Sequence, residues 1–135
     1  MFEKVKKVIE YFNKHTEGHE DIKTPEDVYA EFKLKYKSLV IGFLVLNNGE
    51  WIFKYSDEFK EQDKLNPITQ FPDKDKVYTN KELWPFFTIR IPGLNQPQVK
   101  EIMEEEDIDR QNEVELLERF GKETISNPYE LIGAT

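Results

Sequence analysis

Apolar residues recur along this chain in two rhythms, and the changes between them mark out its elements. Phe2, Val5, Val8, Ile9 and Phe12 follow one another at helical spacing, with Lys and Glu between them, which predicts an amphipathic helix over residues 2 to about 14. Its apolar face needs cover, from its own domain or from a partner. Residues 15 to 21, HTEGHED, are polar and contain Gly18, so they read as a connector. Thr24, Pro25 and Asp27 supply a cap, a first-turn proline and an N3 acid, the signature of a short helix entering VYAEF.

From Phe32 the rhythm becomes two. Phe32, Leu34 and Tyr36 alternate with Lys33, Lys35 and Lys37, as in a half-buried strand. LVIGFLVL, Leu39 to Leu46, is an apolar run too short for a membrane span and rich in β-branched residues, which suits a central strand. Asn47, Asn48 and Gly49 tolerate the positive φ of a tight hairpin. WIFKYS then returns with Trp51, Phe53 and Tyr55 on one face and Ile52 and Lys54 on the other. Residues 56 to 80 are polar and turn-rich around Ile68 and Phe71, a surface loop bracketed by Pro67 and Pro72.

The densest apolar stretch is KELWPFFTIRIPG, Lys81 to Gly93. With Asn80 as cap, Pro85 in the first turns and Pro92 as stop, it predicts a helix from about 81 to 90. Leu83, Phe86 and Phe87 fall on one buried face and Trp84 lies off it. A helix near 97–107 turns Val99, Ile102 and Met103 inward and an acidic face outward. Another, roughly Arg110 to Phe120, buries Val114, Leu117 and Phe120 and ends at Gly121 in a left-handed C′ conformation. TISNPYELI reads as a last strand, and Pro128, which cannot donate to a ladder, places it at an edge or a bulge. The elements predict an α+β fold, a small twisted antiparallel sheet or partly closed barrel packed against three to four helices. Leu44, Phe53, Phe86, Phe87, Ile102, Leu117 and Phe120 form its expected core.

Composition narrows the chemistry. A chain of 135 residues is one domain's worth, divided here into a helix and connector over 1–23 and a domain over 24–135. With no Cys there is no disulfide, thiolate nucleophile or Cys-based zinc site, which suits a reducing compartment. The start, MFEKVKKVIEYF, is neither a signal peptide nor a membrane helix, so the cytoplasm is the expected location. Nineteen Lys and Arg against 27 Asp and Glu give a net charge of −8, which disfavours direct contact with nucleic acid or anionic membrane. The carboxylates of EIMEEEDID sit on a solvated face, and His15 and His19 can share a metal only if a helix continues through Gly18. Without a Gly-rich phosphate loop or a nucleophile elbow, the expectation is a non-enzyme with no catalytic, cofactor or metal residues.

Four blocks, GEWIFKYSDEF, NPITQFP, ELWPFFTIRIPG and VELLERFGKETI, together resemble the N-terminal subdomain of HipA-type serine/threonine kinases, toxins of bacterial toxin–antitoxin systems. The matching positions are Phe53 and Tyr55, Pro67 to Pro72, Phe86 to Pro92, and Leu116 to Ile125, and the likeness extends over about residues 28 to 132. Ser126, Asn127 and Pro128 stand where that family usually has a Gly-Ala pair. The chain ends where the kinase body begins, so no kinase catalytic or nucleotide-binding residue is carried over. The resemblance implies a free-standing protein similar to HipS, the antitoxin of a HipB–HipS–HipT arrangement. Its implied partners are a separately encoded HipA/HipT-like kinase and a HipB-like helix-turn-helix protein. The alternative is an assembly module of a HipA/HipB-type repressor complex without effect on the kinase. Trp84 and Arg90 are the candidate partner contacts.

Overall fold

The computed structural model describes residues 18–134. The helix expected over residues 2 to 14, and His15, lie outside them. Five strands make one antiparallel sheet: β1 (Ala30–Tyr36), β2 (Leu39–Asn47), β3 (Glu50–Tyr55), β4 (Tyr78–Asn80) and β5 (Glu130–Gly133), in the spatial order β4-β3-β2-β1-β5. The sheet stays open, so of the two expected arrangements it is the twisted sheet and not the partial barrel. Period-two alternation explains the pairing, since Phe32 opposes Leu44, Leu44 opposes Phe53 and Leu46 opposes Trp51. All of these side chains are buried, as is Leu131 opposite Leu34. Asn48 and Gly49 turn the β2–β3 hairpin with φ of 51° and 77°, the double positive φ of a type I′ turn. At β5 the Leu131 N–H points away from β1 and donates to the Lys122 carbonyl at 2.9 Å, which blunts that edge.

Among the described residues four α-helices cover the inner face: α1 (Asp57–Glu61), α2 (Pro85–Thr88), α3 (Pro97–Glu105) and α4 (Glu113–Phe120). Their buried side chains include Phe59, Phe87, Val99, Met103, Val114, Leu116 and Leu117, and Ile91 and Leu94 fill the space between α2 and α3. Leu44, Phe53, Phe87 and Leu117 are core as expected, whereas Phe86, Ile102 and Phe120 are only half-buried, Phe86 and Phe120 packing against the core.

Several local expectations are corrected. No helix follows Thr24, because its hydroxyl donates to Glu113 Oε1 at 2.7 Å and the chain from Ala30 is drawn into the ladder with β2. The stretch 56–80 is not all loop. Ser56 caps α1 by accepting from the Phe59 N–H, and Tyr78–Asn80 pairs with β3. The helix expected over 81–90 is one turn, since Trp84 precedes a proline and takes the extended backbone (φ −66°, ψ 148°) that this position favours. Pro85 is therefore its first residue, and Asn80 belongs to β4. Gly121 is not left-handed, with φ of −83°. Its lack of a side chain serves a close approach instead, as a Cβ there meets the Leu117 carbonyl oxygen at 2.5 Å. The left-handed C′ residue is Asp107 at the end of α3, where Ile108 N–H reaches the Met103 carbonyl at 2.9 Å. The closing strand is confined to residues beyond Pro128, and it lies at the edge as expected.

One buried polar cluster ties connector, sheet and helix together. Glu113, the first residue of α4, accepts from the Trp51 indole N–H at 3.1 Å and from Thr24. Lys23 exchanges backbone hydrogen bonds with the same turn, donating to the Gln111 carbonyl and accepting from the Glu113 N–H. Burial raises the Glu113 carboxyl above its ordinary pKa, and the hydrogen bonds from Thr24 and Trp51 pull the other way. The folded state thus holds this proton more tightly than the unfolded chain, and stability falls as pH rises through the folded pKa. Glu113→Gln keeps the acceptor and removes the charge. It should melt at a higher temperature than the wild type at neutral pH, with the gap closing as pH falls toward the ordinary glutamate value of about 4.3. Thermal melts across pH check this, and a variant less stable at neutral pH would make the ionised carboxylate the stabilising form.

Candidate functional site

Two loops and one short helix enclose a groove, and each loop is held by one buried polar side chain. Tyr55 ends β3 on the inner face, and its hydroxyl donates to the Phe71 carbonyl at 2.6 Å while accepting from the Ile68 N–H at 2.8 Å. That pair of bonds fixes the turn 68–71, whose Phe71 ring stacks on Phe53 at 4.4 Å between centroids. Burial pushes the phenol up to about 12, against the bond from Ile68, so Tyr55 remains a neutral donor at any physiological pH.

Arg90 holds the second loop. Only 3% exposed, it donates through Nη1 to the carbonyls of Gly121 and Lys122, both at 3.1 Å. Through Nη2 it donates to Asn127 Oδ1 at 3.0 Å and to the Tyr129 carbonyl at 2.9 Å. The guanidinium carbon lies 5.7 Å from the centre of the Phe86 ring. Its Nε has no partner, and among the described residues no carboxylate pairs with it. Desolvation lowers its pKa to about 10, which still leaves it charged at neutral pH. The loop it grips is further shaped by Asn127 Oδ1 accepting from the Tyr129 N–H at 3.1 Å, and it carries Ile125 at its tip with 88% of its surface exposed.

Between these walls lies a groove of about 490 Å³. Asn66, Thr69 and Gln70 line one side, Pro85, Phe86 and Ile89 of α2 and its C-terminal end form the floor, and Ser126, Asn127 and Tyr129 line the other side. Among the described residues no charged side chain borders it, in a chain where 34% of residues are charged. Trp84 sits beside the floor, half-buried, with its ring edge-on to Phe71 at 5.1 Å and 6.5 Å from Phe87.

The structure thus brings the two expected contact residues to one region with different tasks: Trp84 is at the surface, and Arg90 works from inside through the loop it holds. The acids of α3, Glu101, Glu104 and Glu105, are exposed, and Glu106 pairs with Arg119 at 2.8 Å. His19 uses Nε2 to donate to the Pro92 carbonyl at 2.7 Å. Sequence reasoning missed Gln70 and Asn127 as groove residues and Tyr55 as the anchor of a wall. The Pro67 and Pro72 bracket was the available signal for the first wall, whereas nothing local marks the second.

An open five-stranded antiparallel sheet, covered on one face by four helices and edged by a neutral groove, defines a small α+β domain. The model of the family described as HipA N-terminal domain matches residues 33–126. The chain belongs to the HipA N-terminal domain family. No curated protein matches it.

Two substitutions separate the walls. Tyr55→Phe leaves the buried Ile68 N–H and Phe71 carbonyl unpaired, so a loss of about 1–3 kcal/mol is expected. Arg90→Met removes one donor from each of four acceptors at once. It should lower the hydrogen-exchange protection of residues 121–131, where Leu131 N–H is bonded to Lys122, while leaving the β2–β3 ladder protected. Uniform loss of protection in Arg90→Met would mean that Arg90 supports the whole fold and not one wall.

Proposed function

We propose that this chain is a non-catalytic, HipS-like antitoxin that binds and restrains a separately encoded HipA-like serine/threonine kinase in the cytoplasm, with a HipB-like helix-turn-helix protein as a third component. The observation that carries the reading is the HipA N-terminal domain match over residues 33–126. Geometry supports a binding role. The half-buried Trp84 precedes Pro85 of the floor of a groove that no charged side chain borders among the described residues, and side-chain hydrogen bonds from Tyr55 and Arg90 hold its walls from within, which reduces the freedom lost on association. Ile125, exposed beside the groove, extends the apolar area that a partner would cover.

Co-expression with a HipA-like kinase encoded beside this gene tests the proposal. Rescue from growth arrest and loss of autophosphorylation are expected. A stable complex with undiminished autophosphorylation would instead favour an assembly module of a repressor complex. Trp84→Ala sharpens the test because the ring is only partly enclosed. The variant should stay folded and bind the kinase more weakly by about 2 kcal/mol or more, the scale of an interface anchor. A loss of about 3–5 kcal/mol in stability with binding retained would make Trp84 a core residue and remove it from the interface.

A further inference from the structure

The groove is built to donate hydrogen bonds, and a buried cation stands behind one wall. Asn127 Oδ1 faces two donors, Arg90 Nη2 at 3.0 Å and the Tyr129 N–H at 3.1 Å. Both neighbours being donors, the amide orientation is fixed, and Nδ2 is the end left over for a ligand. On the opposite wall Gln70 Oε1 accepts from the Phe86 N–H at 3.3 Å, which leaves Nε2 over in the same way. Each wall therefore offers a primary amide whose oxygen is already used, and the hydroxyls of Thr69 and Ser126 lie beside them.

Arg90 gives this donor set a sign. Four of its five N–H groups are taken by neutral oxygens and the fifth has no partner, so its charge is solvated by dipoles without being neutralised. The Asn127 amide is aligned with that charge, oxygen inward, and a hydrogen-bonded dipole so placed polarises its own N–H outward. Among the described residues no acid lines the groove. Glu123 and Glu130 lie in a separate depression that shares Asn127 and Tyr129, where Lys122 approaches Glu130 at 3.8 Å.

We infer that the groove receives an acidic side chain from the partner, its carboxylate held between the amide nitrogens of Asn127 and Gln70 and balanced by Arg90. The proposal rests on the kinase-binding reading only for the identity of the partner. A neutral extended segment would satisfy the amides equally well but would leave the buried cation unbalanced.

Two probes decide it without the kinase. N-acetyl-glutamate methylamide and N-acetyl-glutamine methylamide are titrated into the ¹⁵N-labelled full chain, and the side-chain NH₂ signals of Asn127 and Gln70 are followed. The glutamate probe should shift both signals at concentrations roughly tenfold lower than the glutamine probe, as expected for a charge-assisted bond against a neutral one. Asn127→Asp keeps an acceptor for Arg90 and Tyr129 and exchanges the ligand's donor for a negative charge. It should preserve the backbone spectrum and abolish the response of Gln70. Should that variant not fold, Gln70→Leu, at a residue with no hydrogen bond to Arg90, should likewise abolish the response of Asn127. Equal response to the two probes, response to neither, or an undiminished response in the variants overturns the inference.

With the kinase, Asn127→Asp should weaken the complex by roughly tenfold or more. Wild-type binding matched by the variant would overturn the groove contact and leave the antitoxin reading standing. A wild type that ignores the kinase but answers the glutamate probe would do the reverse.

Discussion

Every second residue of β3 reaches a different part of the chain, and that arrangement sets the position of almost everything else. Trp51 bonds to the start of α4 through Glu113, Phe53 stacks on Phe71 and lies against Phe87, and Tyr55 takes the backbone of 68–71 in both directions. Side chains of this size bury large areas, and two of the three also carry a polar tip that must find a partner once inside. The strand thus acts as a template: its apolar bodies make the core and its polar tips choose which loops and helix ends lie over it. A smaller residue at position 51 or 55 removes both contributions at once.

The groove follows from that logic extended to the other side of α2. A one-turn helix contributes little stability of its own, so its place is fixed by Phe87 below and by what its flanking residues hold. Arg90, just beyond the helix, is almost wholly buried and has no acid to pair with among the described residues, and three backbone carbonyls and one amide oxygen close around it. Surrounding a cation with carbonyls requires the chain to curl, and the loop 121–129 is that curl. The hydrogen bonds that tie down a surface loop, normally the most mobile kind of segment, are here a by-product of solvating one charge.

Much of this was legible in the residues. The alternation Phe32, Leu34, Tyr36, the run from Leu39 and the Asn-Asn-Gly turn identify β1, β2 and β3 because period and turn chemistry are local properties. The α+β class follows from them, and so does the edge position of the last strand through Pro128. The failures occurred where a local signal competed with a distant partner. Thr24 looks like a cap until Glu113, 89 residues away, takes its hydroxyl. Lys81 to Ile89 carries helical spacing, but the proline at 85 restricts Trp84 before any spacing can act. Arg90 reads as a surface charge in sequence, since nothing local reveals that four oxygens from residues 121 to 129 converge on it. The donor character of the groove was invisible for the same reason, as it depends on which end of each amide has already been used.

The short outer strands have a bearing on self-association. A sheet with long unpaired edges is a template for another copy of itself, and natural proteins shorten, bend or cover such edges. Here β4 offers three residues and β5 four, and the Leu131 N–H of β5 is already taken by Lys122. The aggregation-prone sequence of the domain, the apolar run from Leu39 to Leu46, is sealed at the centre of the sheet between β1 and β3. Edge-to-edge polymerisation would therefore have to begin by unpeeling a terminal strand, which separates the native chain from fibril growth by an opening step instead of a simple collision.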